Sequence, residues 1–113
     1  MIDRERTTLS AVDRFRPCTD GRVDVASLTR RLSAAPDVIR AFLAAKELRY
    51  STGTLTVLAL LTKNGNAAGL GKQLQSEGLL PADAMVSIIG RHDSGIESAL
   101  GRSTLIYGDW HDR

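Results

Sequence analysis

The sequence contains few of the residues that mark a particular chemistry or compartment. One cysteine in 113 residues excludes an internal disulfide framework and a cysteine-rich zinc module. Aromatic side chains amount to 4% of the chain, which counts against a surface that stacks single-stranded nucleic acid bases. The longest apolar run, residues 57–61, is far shorter than the roughly 18 to 20 apolar residues of a membrane-spanning helix. The charged N-terminus precedes no apolar segment, so we expect no signal peptide and a cytoplasmic protein with a reduced thiol at Cys18.

The charge balance is mildly basic, and the composition is that of an ordinary globular domain. Lys and Arg total 15 against 13 Asp and Glu, which gives a formal net charge of +2. Hydrophobic residues at 42% and charged residues at 25% exclude a disordered chain, a collagen-like chain and a pure coiled coil. The length favours one domain, residues 1–113, with a buried core. The excess of Arg over Lys is compatible with phosphate binding, although a GC-rich genome is the simpler explanation.

Residues 25–44 fit the spacing of two helices joined by a tight turn. Pro36 suits the first turn of the second helix. The stretch 21–48 resembles helix-turn-helix and winged-helix domains. This resemblance implies a three-helix core, with residues 3–15 as the first helix and residues 36–48 as the recognition helix. The apolar positions of the pattern, at which helices pack against each other, are Leu28, Leu32, Ala34, Ile39 and Phe42.

The second half of the chain is richer in glycine and in short apolar runs. Residues 54–62 begin like a strand and end like a buried helix, and the flanking Gly53 and threonines favour a strand. We also predict a short edge strand at Val23 and Val25. The fold class is therefore α+β, with an N-terminal three-helix helix-turn-helix-like half, residues 1–50, and a C-terminal mixed α/β half, residues 51–113. Its remaining elements are strands at 84–89 and 104–107 and helices at 67–76 and 95–100.

The leading functional hypothesis follows from that resemblance. Base contacts in helix-turn-helix proteins come from the start and the outer face of the recognition helix, where Arg40 is the best donor in this chain. We therefore expect a small DNA-binding protein, a transcriptional regulator that binds double-stranded DNA as a homodimer. The residues expected to contact phosphates are Arg30, Arg31, Lys46 and Arg49.

The alternative is a protein-interaction module, such as a small inhibitor or adaptor, with no DNA binding. Asp37 would repel phosphate at the start of the recognition helix. Alanines at 35, 41, 44 and 45 would leave a smooth surface that suits packing against another protein. This reading also accounts for the low net charge.

An enzyme is the third reading, and the sequence gives it little support. His92 with Asp93, and the segment 109–112 with His111, would meet in a divalent metal site if strands 84–89 and 104–107 were parallel neighbours. Residues 65–73 resemble a phosphate-binding loop, but Asn66 replaces its first glycine and Gln73 replaces the residue that holds magnesium. We therefore expect no catalytic activity, no cofactor and no metal.

Overall fold

Five strands, three helices and a 3₁₀ turn make up the part of the chain that the structure, a computed structural model, describes. That part comprises residues 14–18, 21–48, 53–63, 69–89 and 94–108. In chain order its elements are β1 (Phe15–Pro17), α1 (Val25–Ser33), β2 (Val38–Glu47), β3 (Thr54–Thr62), α2 (Leu70–Ser76), β4 (Met85–Ile89), α3 (Ser94–Leu100), a 3₁₀ turn (Arg102–Thr104) and β5 (Leu105–Tyr107).

The strands form one mixed sheet with β2 and β3 at its centre. These two strands are antiparallel, and their register runs from Val38 opposite Thr62 to Glu47 opposite Thr54. β1 and β5 are both antiparallel to β2 and pair with different stretches of its other edge. β4 is parallel to β3 and is the last strand on the opposite side of the sheet. The sheet therefore has two different outer edges, one formed by β1 and β5 and the other by β4.

Helices cover both faces of the sheet. Ala41 and Leu43 point to the face on which α1 and α2 lie, and this core includes Leu28 of α1 and Leu74 of α2. Phe42 points to the opposite face, where the core includes Leu100 of α3 and Val57 of β3. Because the central strands are buried on both sides, their apolar residues follow one another without the alternation of a half-exposed strand.

Helix α1 begins at a clear capping signal. The Asp24 carboxylate accepts hydrogen bonds from the Ser27 hydroxyl at 2.8 Å and from the Ser27 backbone N–H at 3.3 Å. These two bonds lower the pKa of the Asp24 carboxyl below its ordinary value. Leu28 and Leu32, one turn apart, then face the sheet and are fully buried.

The structure overturns the helical N-terminal half that the sequence pattern predicted. Residues 38–47 form strand β2, so residues 36–48 are not a recognition helix, and Pro36 lies in the turn before the strand. Val25 begins α1 and belongs to no edge strand. Phe15 at the end of the predicted helix 3–15 lies in β1, and residues 3–13 lie outside the described part. The physical reason is that a strand buried on both faces shows consecutive apolar residues, which fit a helical spacing equally well.

The predictions for the second half agree better with the structure. The predicted strand 54–62 is confirmed as β3 with the same bounds. The predicted strands 84–89 and 104–107 are confirmed, each starting one residue later, and the helix at 95–100 begins one residue earlier. The helix predicted at 67–76 is α2 from Leu70 onward, and residues 67 and 68 lie outside the described part.

Candidate functional site

Of the five cations predicted to contact DNA, the four that the structure describes do not share a surface. Arg30 and Arg31 lie on α1, whereas Arg40 and Lys46 lie on β2. Arg49 lies outside the described residues. Arg30 is exposed, and the Arg31 guanidinium donates to Glu77 at 3.1 Å and to Gln73 at 3.3 Å, so it ties α1 to the C-terminal end of α2.

Arg40, the residue expected to contact a base, has a structural partner instead. Its Nη1 donates to Oε2 of Glu97 on α3 at 2.9 Å, and the two side chains are only 12% and 18% exposed. A pair this sheltered from water stabilises the fold only while both charges are present, because the loss of one leaves the other buried and uncompensated. Arg40 therefore joins the sheet to α3 and is poorly placed to contact an external phosphate or base.

The backbone next to Arg40 is tightly packed. The register between β2 and β3 shifts between Val38 and Arg40, as at a β-bulge. Gly108, just after β5, has a φ of +85° and lies against this irregularity, so that a Cβ at Gly108 would be 2.8 Å from Cγ of Arg40 and would collide with the carbonyl oxygen of Ile39. Glycine is required here by both its backbone angle and the lack of space.

Lys46 is even less available than Arg40. It belongs to the face of β2 that carries Phe42 and Ala44, it stands between Phe15 of β1 and Leu55 of β3, and it is 1% exposed. With so little exposure, its side chain cannot contact an external phosphate. Lys46 is therefore part of the interior in this structure.

The residues that the sequence offered for an enzyme form no site in the described part of the chain. His92 and His111 lie outside the described residues. β4 and β5, the strands that precede them, are not neighbours, because β2 and β3 lie between them. Cys18 is a free, half-buried thiol beside the α1 and α2 core. Among the described residues, no group of three or more His, Cys, Asp and Glu side chains is arranged to hold a metal ion.

The outer edge of β4 is the most distinctive surface in the described part of the chain. No described strand pairs with this edge, so outward-facing backbone N–H and C=O groups along it have no partner among the described strands. β4 reads Met-Val-Ser-Ile-Ile and carries neither a charge nor a proline. Ile88 on this strand is 36% exposed, and it and Val25, at 43%, are the large apolar side chains exposed among the described residues.

Three contacts hold the β4 edge in position. The Gln75 side-chain amide of α2 lies within 3.1 to 3.3 Å of the carbonyl oxygens of Pro81, Ala82 and Ala84, which fixes the segment that leads into β4. Asp83 pairs with Arg22 at 3.0 Å.

The third contact is made between α2 and the strand itself. α2 approaches β4 closely because Gly71 lacks a side chain, and a Cβ there would lie 3.1 Å from Val86. These contacts hold β4 against the rest of the domain, and α2 covers Val86 while Ile88 stays exposed.

The strand can be predicted from its local sequence, but its place at the edge of the sheet cannot. Residues 84–89 were predicted as a strand, yet position within a sheet is a tertiary property that a local pattern does not contain. The lack of Lys, Glu or Pro in the strand was the available signal, because exposed edges usually carry such residues.

No helix in the described ranges combines the length and the apolar character that crossing a membrane requires. Comparisons of the chain with protein-family models, with curated proteins and with solved structures find no match. A functional assignment therefore depends on the chemistry of the surfaces described above.

Proposed function

We propose that this chain is a protein-interaction module that binds its partner along the outer edge of β4. The observation that carries the proposal is the coincidence of an unpaired strand edge, an uncharged sequence and an exposed isoleucine in the described part of the chain. Strand addition to such an edge obtains affinity from main-chain hydrogen bonds and specificity from alternate side chains. Ile88 supplies an apolar contact on the face that α2 covers only as far as Val86.

The ordered conformation of β4 makes its open edge suitable for binding a partner strand. A strand that is already ordered loses little conformational entropy when a partner strand joins it. The hydrogen bonds from Gln75 to the segment before β4 and the close approach of Gly71 provide that order. An open apolar edge also carries a risk of aggregation, which a regular partner would remove.

Binding of double-stranded DNA stays a prediction and takes second place. Of the five cations named for it, Arg40 is paired with Glu97, Lys46 is buried and Arg31 is engaged with Glu77. A DNA-binding surface would have to rely on Arg30, exposed on α1, on Arg49, which lies outside the described residues, and on further cations of the chain. If it exists, affinity for random duplex DNA will fall steeply with salt, and Arg30→Ala will reduce that slope by about one.

The test of the interaction proposal uses the two exposed apolar residues as a matched pair. Ile88→Glu places a charge on the β4 edge, and Val25→Glu places the same charge on α1, which packs over β2 and β5. A protein retained by the wild-type chain is identified and purified, and its dissociation constant is measured for all three chains. We expect Ile88→Glu to weaken binding at least about tenfold and Val25→Glu to leave it within about twofold.

Two results would count against the proposal. Equal affinity of the two variants would place the partner elsewhere on the chain. Retention of no protein, together with a monomeric wild-type chain, would remove the edge as a binding surface altogether.

A further inference from the structure

We propose that the partner strand on the β4 edge is β4 of a second copy of this chain, paired antiparallel about a two-fold axis at Ser87. The inference rests on the proposed function and names its partner. It draws on the sequence of β4, on the faces to which its residues belong and on the distribution of charge around it.

The strand is complementary to itself in this arrangement. Ser87 is the central residue of Met85–Ile89, so an antiparallel copy centred there places Ser87 opposite its own equivalent. Met85 then stands opposite the second copy's Ile89, and Val86 opposite its Ile88. Every pair apart from the serines is apolar, and the pairing repeats identically on both sides of the axis, as a two-fold interface requires.

The faces of the two sheets also match. Val86 and Ile88 align with Leu58 and Leu60 of β3, which belong to the face covered by α1 and α2. Met85 and Ile89 belong to the opposite core, beneath α3. Antiparallel pairing about Ser87 keeps each residue on the face of its apolar counterpart, so the exposed Ile88 meets the second copy's Val86.

Electrostatics do not oppose this dimer. β4 carries no charge, so no like charges face each other between the two paired strands, Met85–Ile89 of each copy. The nearby carboxylate of Asp83 is already paired with Arg22. The formal net charge of +2 per chain keeps the overall repulsion between two copies small.

The dimer is also closed. Joining β4 to β4 uses the open edge of both copies and leaves the edges formed by β1 and β5 at the two ends of a continuous sheet. A contact between β4 and a different surface of the next copy would instead produce an open chain of molecules. The antiparallel pairing thus uses up the open edge without starting a fibre.

The first test is a disulfide cross-link at the proposed two-fold axis. Ser87→Cys in a Cys18→Ala background places two thiols opposite each other in the dimer, within the Cα separation that a disulfide bridges. Under mild oxidation at micromolar concentration we expect most of the full-length chain to become a covalent dimer. Ser33→Cys in the same background, on exposed Ser33 of α1, is the control and should give only background cross-linking.

The second test places like or opposite charges at position 88 of the two copies. The two position-88 side chains would be diagonal neighbours, about 7 to 8 Å apart on one face. Ile88→Glu alone and Ile88→Lys alone should each shift the mass in light scattering from two chains to one. An equimolar mixture of the two variants should return to the dimer mass, whereas Val25→Glu should remain dimeric throughout.

Each other outcome has a definite meaning. A wild-type chain that is monomeric at the highest soluble concentration, with no Ser87→Cys cross-link, overturns the second copy as partner. If the wild-type chain is monomeric but binds a different, purified protein, and Ile88→Glu abolishes that binding, the proposed function stands while this inference fails. A dimer that persists in Ile88→Glu overturns the inference, because the two chains then meet through another surface.

Discussion

The two outer edges of the sheet differ in the way that proteins usually distinguish a protected edge from a binding edge. On one side, β1 contains Pro17 and an Arg16 that pairs with Glu47, and the Thr29 hydroxyl of α1 donates to the Ile106 carbonyl oxygen of β5 at 3.4 Å. On the other side, β4 has no charge, no proline and no described neighbour beyond it. The described strands of one sheet therefore combine a protected edge with an open one, and this contrast is the reason for placing the proposed interaction at β4.

The largest effect is expected from the ion pair between β2 and α3, on the protected half of the sheet. Glu97→Ala leaves the Arg40 guanidinium buried without its partner and should lower the free energy of unfolding by about 3 kcal/mol. Urea unfolding monitored by circular dichroism measures this change. Arg40→Met combined with Glu97→Leu is the control, because replacing both charges by apolar groups should cost far less; an equal loss in the double variant would contradict the argument.

Gly108 tests whether the protected edge depends on close backbone packing. Gly108→Ala introduces a Cβ at a φ of +85° and against the Ile39 carbonyl oxygen, so the free energy of unfolding should fall by about 2 kcal/mol. Gly53→Ala is the matched control, because Gly53 also has a positive φ but has open space around it. Thermal unfolding should rank Gly108→Ala clearly below Gly53→Ala, and identical melting temperatures would show that steric exclusion at Gly108 is unimportant.

Thr62, at the end of β3, offers a substitution that should stabilise the chain. Its buried hydroxyl has no hydrogen-bond partner among the described residues. Thr62→Val keeps the shape and removes the unsatisfied group, so the free energy of unfolding should rise by about 1 kcal/mol. A decrease in the urea midpoint would show that the hydroxyl is satisfied in solution.

A substitution at the open β4 edge should change association between chains and leave the stability of the monomer nearly unchanged, unlike the substitutions on the protected side. Ile88→Glu is expected to change the free energy of unfolding of the monomer by less than about 0.5 kcal/mol, because the side chain is partly exposed and at the sheet boundary. Its effect should fall on association, measured by light scattering. A large loss of monomer stability would mean that the edge is part of the core and would remove the contrast between the two edges.

The smallest effect is expected at the cap of α1, which packs against the protected edge. The hydrogen bonds from Ser27 lower the pKa of Asp24, so its stabilising contribution is present above the ordinary value of 3.8 and is lost as the pH falls through the lowered value. Asp24→Asn retains a cap but removes the charge. Thermal melts from pH 7 to pH 2.5 should show a shallower acid decline for Asp24→Asn; identical declines would rule out this contribution.

The contrast between β2 and β3 explains how much of the fold the sequence could predict. Residues 54–62 are flanked by Gly53 and contain β-favouring threonines, so the local pattern and the structure agree. Residues 38–47 contain three alanines and no such flanking glycine, and their apolar positions satisfy a helical spacing by coincidence. Pairing with β3 along nearly the whole strand decides the outcome, and that interaction is non-local.

The same reason applies to the candidate site. A guanidinium at position 40 looks like a ligand for phosphate when the sequence is read alone, and its partner Glu97 is far away in the chain. The exposure of Ile88 likewise cannot be read from the local sequence, because it depends on the strand order that places β4 at the edge of the sheet. Residue type was readable at both positions, but burial and neighbours had to come from the fold.

The parallel connection from β3 to β4 has a consequence for the order of folding. β2 and β3 are antiparallel and close in sequence, so they can pair early, whereas β4 must wait for the crossover of residues 63–84 to carry the chain back along the sheet. Until then the apolar strand β3 is itself an open edge. We expect refolding yield to fall with protein concentration more steeply when α2 is weakened, because the delay prolongs exposure of β3 to other chains.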